Sequence, residues 1–122
     1  MVISSVQESF KNPKLGRYYL IFDKDYSLED PVCSLNITFQ QDFSVGGQVN
    51  WIKSIYIPHA HRGRGIYRVF YDRFIEDVKN DPHVKAVKLV VDRTNRAGIS
   101  CYNKTSMSLV EKDDFYNAYT TI

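Results

Sequence analysis

Only two of the 122 residues are cysteine, Cys33 and Cys101. Two are too few for a disulfide framework or a zinc pattern. No apolar run approaches the roughly 20 residues that cross a bilayer. The N-terminus lacks the charged-then-apolar order of a secretory signal. Charge of one sign is lacking too, since 16 Lys and Arg against 14 Asp and Glu leave +2. A balance that small points to neither a nucleic acid nor a membrane as partner. There is no internal repeat and no low-complexity tract. A reducing, cytoplasmic setting is the expectation.

Apolar material, by contrast, is sufficient. Hydrophobic residues make up 43% of the chain and aromatics 14%, with nine Tyr. That builds the core of a single domain over residues 1–122 and excludes intrinsic disorder.

Local patterning divides the chain. Val2, Val6 and Phe10 recur every four residues, which predicts a helix over Met1–Asn12 ended by Pro13. Arg17–Asp23 is aromatic and β-branched and reads as a strand. Val32–Gln40 alternates, with Cys33, Leu35, Ile37 and Phe39 on one face. Gly46-Gly47 closes a hairpin into Val49–Ile57, a strand apolar on both faces. Ile66, Phe70, Phe74 and Val78 predict an amphipathic helix over Ile66–Asn80. Lys85–Asp92 reads as a buried strand and Thr94–Thr105 as a short helix. Met107–Glu111 and Phe115–Thr120 read as the last strands. A meander followed by a βαβ-like crossover implies an α+β fold, a mixed and mostly antiparallel sheet with helices on its faces.

Two segments carry chemistry. The first is Pro58-His59-Ala60-His61-Arg62-Gly63-Arg64-Gly65-Ile66-Tyr67-Arg68. A strand enters a Gly- and Arg-rich loop, and the loop opens a helix. Free N–H groups at a helix start attract anions, and glycines let a phosphate approach the backbone. The loop is neither a Walker A sequence nor GxGxxG. An anion site and a solvated turn kept soluble by its arginines both remain open. The second segment runs from Asn95 to Lys104. Asn95 and Tyr102 lie seven residues apart, two helical turns, and project from one side. Either they reach a ligand, or Asn95 caps and Tyr102 packs.

Together the two segments resemble the GNAT superfamily of N-acetyltransferases. Its pyrophosphate loop, Arg/Gln-x-x-Gly-x-Gly/Ala, is resembled by Arg62-Gly63-Arg64-Gly65-Ile66-Tyr67, with Tyr67 in place of the usual Gly or Ala, a residue familiar there in one branch of the family. Its later helix, Asn-x-x-Ala-x-x-x-Tyr-x-Lys-x-Gly, is matched from Asn95 through Tyr102 to Lys104, with Gly98 for Ala and Ser106 for Gly. Trp51–Pro58 and Gly16-Arg17-Tyr18 are similar to strands of one branch of the family. The resemblance covers roughly residues 13–110. A complete member has a strand and helix before this region, so the chain is expected to be N-terminally short. The resulting free sheet edge suggests a homodimer.

The resemblance implies an enzyme that moves acetyl from acetyl-CoA directly onto a primary amine of a small molecule or protein. The backbone of Ile55, Tyr56 and Ile57 would pair with the pantetheine amides. The N–H groups of Arg62, Gly63, Arg64, Gly65, Ile66 and Tyr67 would hold the pyrophosphate. Asn95 would bond the pantetheine arm, Lys104 would lie near the CoA tail, and Tyr102 would protonate the departing thiolate as general acid. Asp42, near the end of the alternating strand, and Tyr56 are candidates for the base. Asp42 could also be an acceptor-side acid, and an Asp in a hairpin is more often a turn residue. His59 and His61 lack a third ligand, so no metal is expected. Cys101 lacks the His partner of an acyl-cysteine mechanism. A non-catalytic CoA-binding module is the alternative. A nucleic-acid domain using Arg62, Arg64 and Arg68 beside Tyr67 and Tyr71 is disfavoured by the charge balance.

Overall fold

A computed structural model describes residues 1–122. Seven strands and two α-helices follow one another as β1 (Ile3–Ser9), β2 (Gly16–Asp23), β3 (Cys33–Asp42), β4 (Gly47–Tyr56), α1 (Ile66–Lys79), β5 (Val84–Asp92), α2 (Arg96–Asn103), β6 (Ser108–Lys112) and β7 (Phe115–Thr121). They form one sheet in the order β1-β2-β3-β4-β5-β7-β6. Every neighbouring pair is antiparallel except β4 and β5, which run parallel. A parallel pair needs a crossover, and α1 supplies it.

The helix expected over Met1–Asn12 is a strand instead. Its seven residues pair with β2 from Ile3↔Asp23 to Ser9↔Arg17. The misreading has a simple cause: a spacing of four is also an even number, so Val2 and Val6 share one face of a strand as well. β2 offers a full ladder of backbone partners, whereas a short isolated helix is marginal. The free edge that suggests a second copy is therefore the outer side of β1.

The core lies on one face of the sheet. Alternation sends Tyr19, Ile21, Cys33, Leu35, Ile37, Ile52, Val87, Leu89 and Val91 to this side, all buried. α1 covers them with the four-residue stripe read from the sequence, widened by Tyr67, Tyr71 and Ile75. Phe70 and Phe74 stack on each other and present their edges to Tyr19. α2 joins the same core through Tyr102, whose ring packs edge-on against Tyr67 of α1. On the other face Tyr18, Leu20 and Val90 are exposed.

Candidate active site

β4 and β5 pair only from Gln48↔Val84 to Trp51↔Lys88. Beyond that point β4 continues to Tyr56 and β5 to Asp92 with no bond between them. A bulge accompanies the parting. Ser34 faces Tyr56 and Asn36 faces Lys53, so Leu35 alone stands opposite both Ser54 and Ile55. Ser54 takes a left-handed φ of 56°. An extra residue of this kind bends its strand. Between the parted strands lies a cleft of about 420 Å³, lined by Trp51–Ile55, Leu89–Asp92, Asn95 and Tyr102. Lys53–Tyr56 thus expose an unpaired strand edge to it.

The chain leaves β4 through a single 3₁₀ turn at His59–His61 and enters α1 over Gly63 and Gly65, both at φ 75°. A side chain at either position would meet no obstacle within 4 Å, so it is the left-handed backbone that calls for glycine. No N–H group from Gly63 to Arg68 has an acceptor within the protein. The first internal bond of the helix is Val69 N–H to the Gly65 carbonyl, 3.1 Å. A consecutive row of free donors at a helix N-terminus is an anion cradle.

Tyr102 projects from α2 into the core side of the cleft and is 8% exposed. Burial pushes its hydroxyl up to about 12, so the phenol keeps its proton at neutral pH. Asn95 is the N-cap of α2, its Oδ1 accepting from Gly98 N–H at 2.9 Å. That bond uses only the oxygen, and the amide nitrogen keeps both donors.

The acetyltransferase (GNAT) family model matches residues 5–106. The chain belongs to the GNAT acetyltransferase family. No curated protein sequence matches it significantly. Among solved structures, Arabidopsis thaliana NAA60 with a bisubstrate analogue superposes at a TM-score of 0.73 and 17% identity, over 91% of this chain and 78% of that one. The same plant protein in complex with acetyl-CoA gives 0.71 and 18%, over 87% and 76%. A GNAT acetyltransferase from Streptococcus pneumoniae gives 0.72 and 17%, over 92% and 70%. At these identities the structures speak for the fold.

In this GNAT chain Ile57 and Lys104 lie off the cleft, while Arg64, Ile66 and Tyr67 keep the free N–H groups expected of them and turn their side chains elsewhere. Ile57 lies beyond β4, and its carbonyl already accepts from Arg62 Nε at 2.9 Å. The side chains of Ile66 and Tyr67 point into the core, leaving only their N–H groups outward. The Tyr67 hydroxyl is buried without a partner, and its pKa is raised well above 10 by burial and then by the neighbouring Tyr102. Arg64 does not present its guanidinium to the loop's outer side. It is paired with Asp23 and His61. Lys104 is exposed at the far end of α2, roughly 12 Å of helix from Asn95, and does not line the cleft.

Asp42 is not in the site. It ends β3 opposite Gly47, at the end of the sheet remote from the parting strands. There it accepts from Ser44 N–H and Oγ, and those bonds hold its carboxyl below the usual range. It is a turn residue. Tyr56 ends β4 beside the bulge and is 58% exposed. Cys101 is half-buried, and burial raises its thiol.

Three residues escaped the sequence reading. In the sequence Asp92 is only the end of a strand, yet it lines the cleft with the one carboxylate there. Thr94 donates to it from both N–H and Oγ1, at 2.8 and 2.6 Å, which lowers its pKa. The Asp-x-Thr spacing is a recognisable turn signal. Asp23 and His61, forty-odd and three residues away from Arg64, give no local signal of their pairing.

Proposed function

We propose that this chain transfers the acetyl group of acetyl-CoA to a primary amine by direct attack. One observation carries the reading: the unpaired β4 edge and the Tyr102 phenol line one cleft between the parted strands, and the chain runs on from β4 through a single 3₁₀ turn to the free N–H row. The edge of Lys53–Tyr56 suits the amides of an extended pantetheine, which would add to it as a short strand. The Gly63–Arg68 donors suit the pyrophosphate, with the exposed Arg62 and Arg68 beside them. Asn95 Nδ2 suits a carbonyl of the arm. Held at both ends, the thioester is oriented for attack.

The ammonium first gives one proton to water, so a neutral nitrogen attacks the thioester carbonyl. The C–N bond forms, the C–S bond breaks, and the sulfur takes a proton from the Tyr102 hydroxyl. The surplus proton on the new amide nitrogen returns through water to the Tyr102 phenolate. A phenol near 12 is a weak acid, but the burial that raises it raises a leaving thiolate in the same pocket too. Asp92 offers the incoming ammonium a counter-charge at the cleft. The chain pairs as a homodimer along the free edge of β1, and a monomer by sedimentation at micromolar concentration refutes that.

Calorimetry with acetyl-CoA tests the donor, beside an Arg62→Ala, Arg68→Ala variant that should bind more weakly. A panel of amines then tests transfer by the release of free CoA thiol. Binding without release for any amine would leave the alternative, a non-catalytic CoA-binding module.

A further inference from the structure

Asp23 ends β2 with its residue surface 1% exposed. A carboxylate so deep needs partners, since desolvation alone would keep it neutral. It has three. Its Oδ1 accepts from the N–H groups of Val2 at 3.3 Å and Asp25 at 3.0 Å. Its Oδ2 accepts from Nη2 of Arg64. Burial works to raise its pKa, yet the bonds from Arg64 and the two N–H groups win, and the carboxyl lies below its usual range.

The network continues from Arg64. Its Nη1 lies 2.9 Å from Nδ1 of His61. A guanidinium only donates, so Nδ1 is the acceptor and the neutral imidazole carries its proton on Nε2. His61 is itself buried, and Tyr26 from the β2–β3 turn packs edge-on against its ring at 4.4 Å. His61 and Arg64 bracket Arg62 and Gly63. Both ends of the loop's tightest stretch are thus tied to the end of β2 and the turn after it.

We infer that Asp23 is a positioning residue for the anion loop, acting through Arg64 and His61. It holds the loop from beneath while the Gly63–Arg68 donors face out. Two left-handed glycines make this stretch costly to order. A clamp that orders it in advance removes that cost from ligand binding. The clamp also sets the charge at the site. With Arg64 neutralised inward, the loop recognises an anion by backbone donors and by Arg62 and Arg68. The inference rests on the proposed binding of the CoA pyrophosphate.

The test compares two donors that share the thioester and pantetheine. Acetyl-CoA has the pyrophosphate, and S-acetyl-pantetheine lacks it. Asp23→Asn keeps the size of the side chain and loses its charge. It should weaken acetyl-CoA about tenfold and change S-acetyl-pantetheine by less than about twofold. Arg64→Met attacks the clamp from the other end and should do the same. The double variant removes both charges at once and keeps the test open where a lone buried charge unfolds a single variant. It should match the single losses rather than multiply them, because the pair acts as a unit. Equal losses on both donors would reduce Asp23 to a structural role and overturn the inference, as would unchanged acetyl-CoA affinity. Failure of the wild-type chain to bind acetyl-CoA would overturn the proposed function and this inference together.

Discussion

Tyr67 and Tyr102 meet edge to face, ring centroids 5.2 Å apart. One belongs to the first turn of α1, which carries the free N–H row. The other is the phenol of the cleft. Their contact joins the free N–H row to the cleft through buried aromatic packing, which under the proposed function links the pyrophosphate end of the donor to its thioester end. Such a joint keeps a phenol within reach of one point along a long substrate, and small losses of position there are expensive in rate.

Tyr102→Phe keeps the ring, and so the contact with Tyr67, while removing the hydroxyl. Acetyl transfer should fall about 100-fold or more, the range of a lost general acid. Affinity for acetyl-CoA should stay within about threefold, because the anchors lie elsewhere. Steady-state rates beside calorimetry check both. Undiminished turnover would remove Tyr102 from the mechanism.

The same hydroxyl predicts an alkaline effect on stability. Unfolded, a tyrosine ionises near 10. Folded, Tyr102 ionises only at about 12. The unfolded chain therefore loses its proton first, and stability present below about pH 10 declines as pH rises through the folded value. Tyr19, Tyr67 and Tyr71 are shifted up by burial as well and act in the same sense. The difference between wild type and Tyr102→Phe isolates the one group. Urea midpoints at pH 9 and pH 11 should fall further in the wild type. Equal falls would show that the hydroxyl is not desolvated.

Most of the sheet was legible because its alternation is clean, as in Cys33, Leu35, Ile37 and Phe39. α1 was legible because Ile66, Phe70, Phe74 and Val78 repeat without a competing strand pattern. β1 was not, because an even spacing serves both periods and only pairing with β2 decides between them. The loop and the Asn95–Tyr102 helix were legible as motifs. What each side chain does there was less so. Asp42 reads as a turn residue from its hairpin setting and as a base only by the family resemblance, and its bonds to Ser44 make it the turn residue. Arg64 reads only as one of the loop's arginines, and nothing local tells that a carboxylate 41 residues away in sequence turns its guanidinium inward. Long-range pairings of this kind are set by topology and leave no local trace.

Asp92 should act on the acceptor side. Asn at this position keeps an oxygen for the Thr94 bonds and removes the charge, so the turn into α2 survives. Asp92→Asn should raise KM for the amine about tenfold and leave acetyl-CoA affinity unchanged. An uncharged amine analogue should lose the difference. An unchanged KM would mean the ammonium finds its counter-charge elsewhere.

Asn95 has two jobs that substitution can separate. Its oxygen caps α2 through Gly98 N–H. Its amide nitrogen is the group proposed above to meet the pantetheine arm. Gly98 makes room for this arrangement, since a Cβ there would stand 2.7 Å from Asn95 Nδ2. Asn95→Ala removes the cap and should cost about 1 kcal/mol of stability along with acetyl-CoA affinity. Asn95→Asp restores an oxygen at the cap, and its charge suits a helix N-terminus. It should therefore hold wild-type stability while still losing affinity about tenfold, because the donor has become an acceptor. Thermal unfolding and calorimetry on the two variants read the two jobs apart. Wild-type affinity in Asn95→Asp would leave Asn95 as a cap and nothing more.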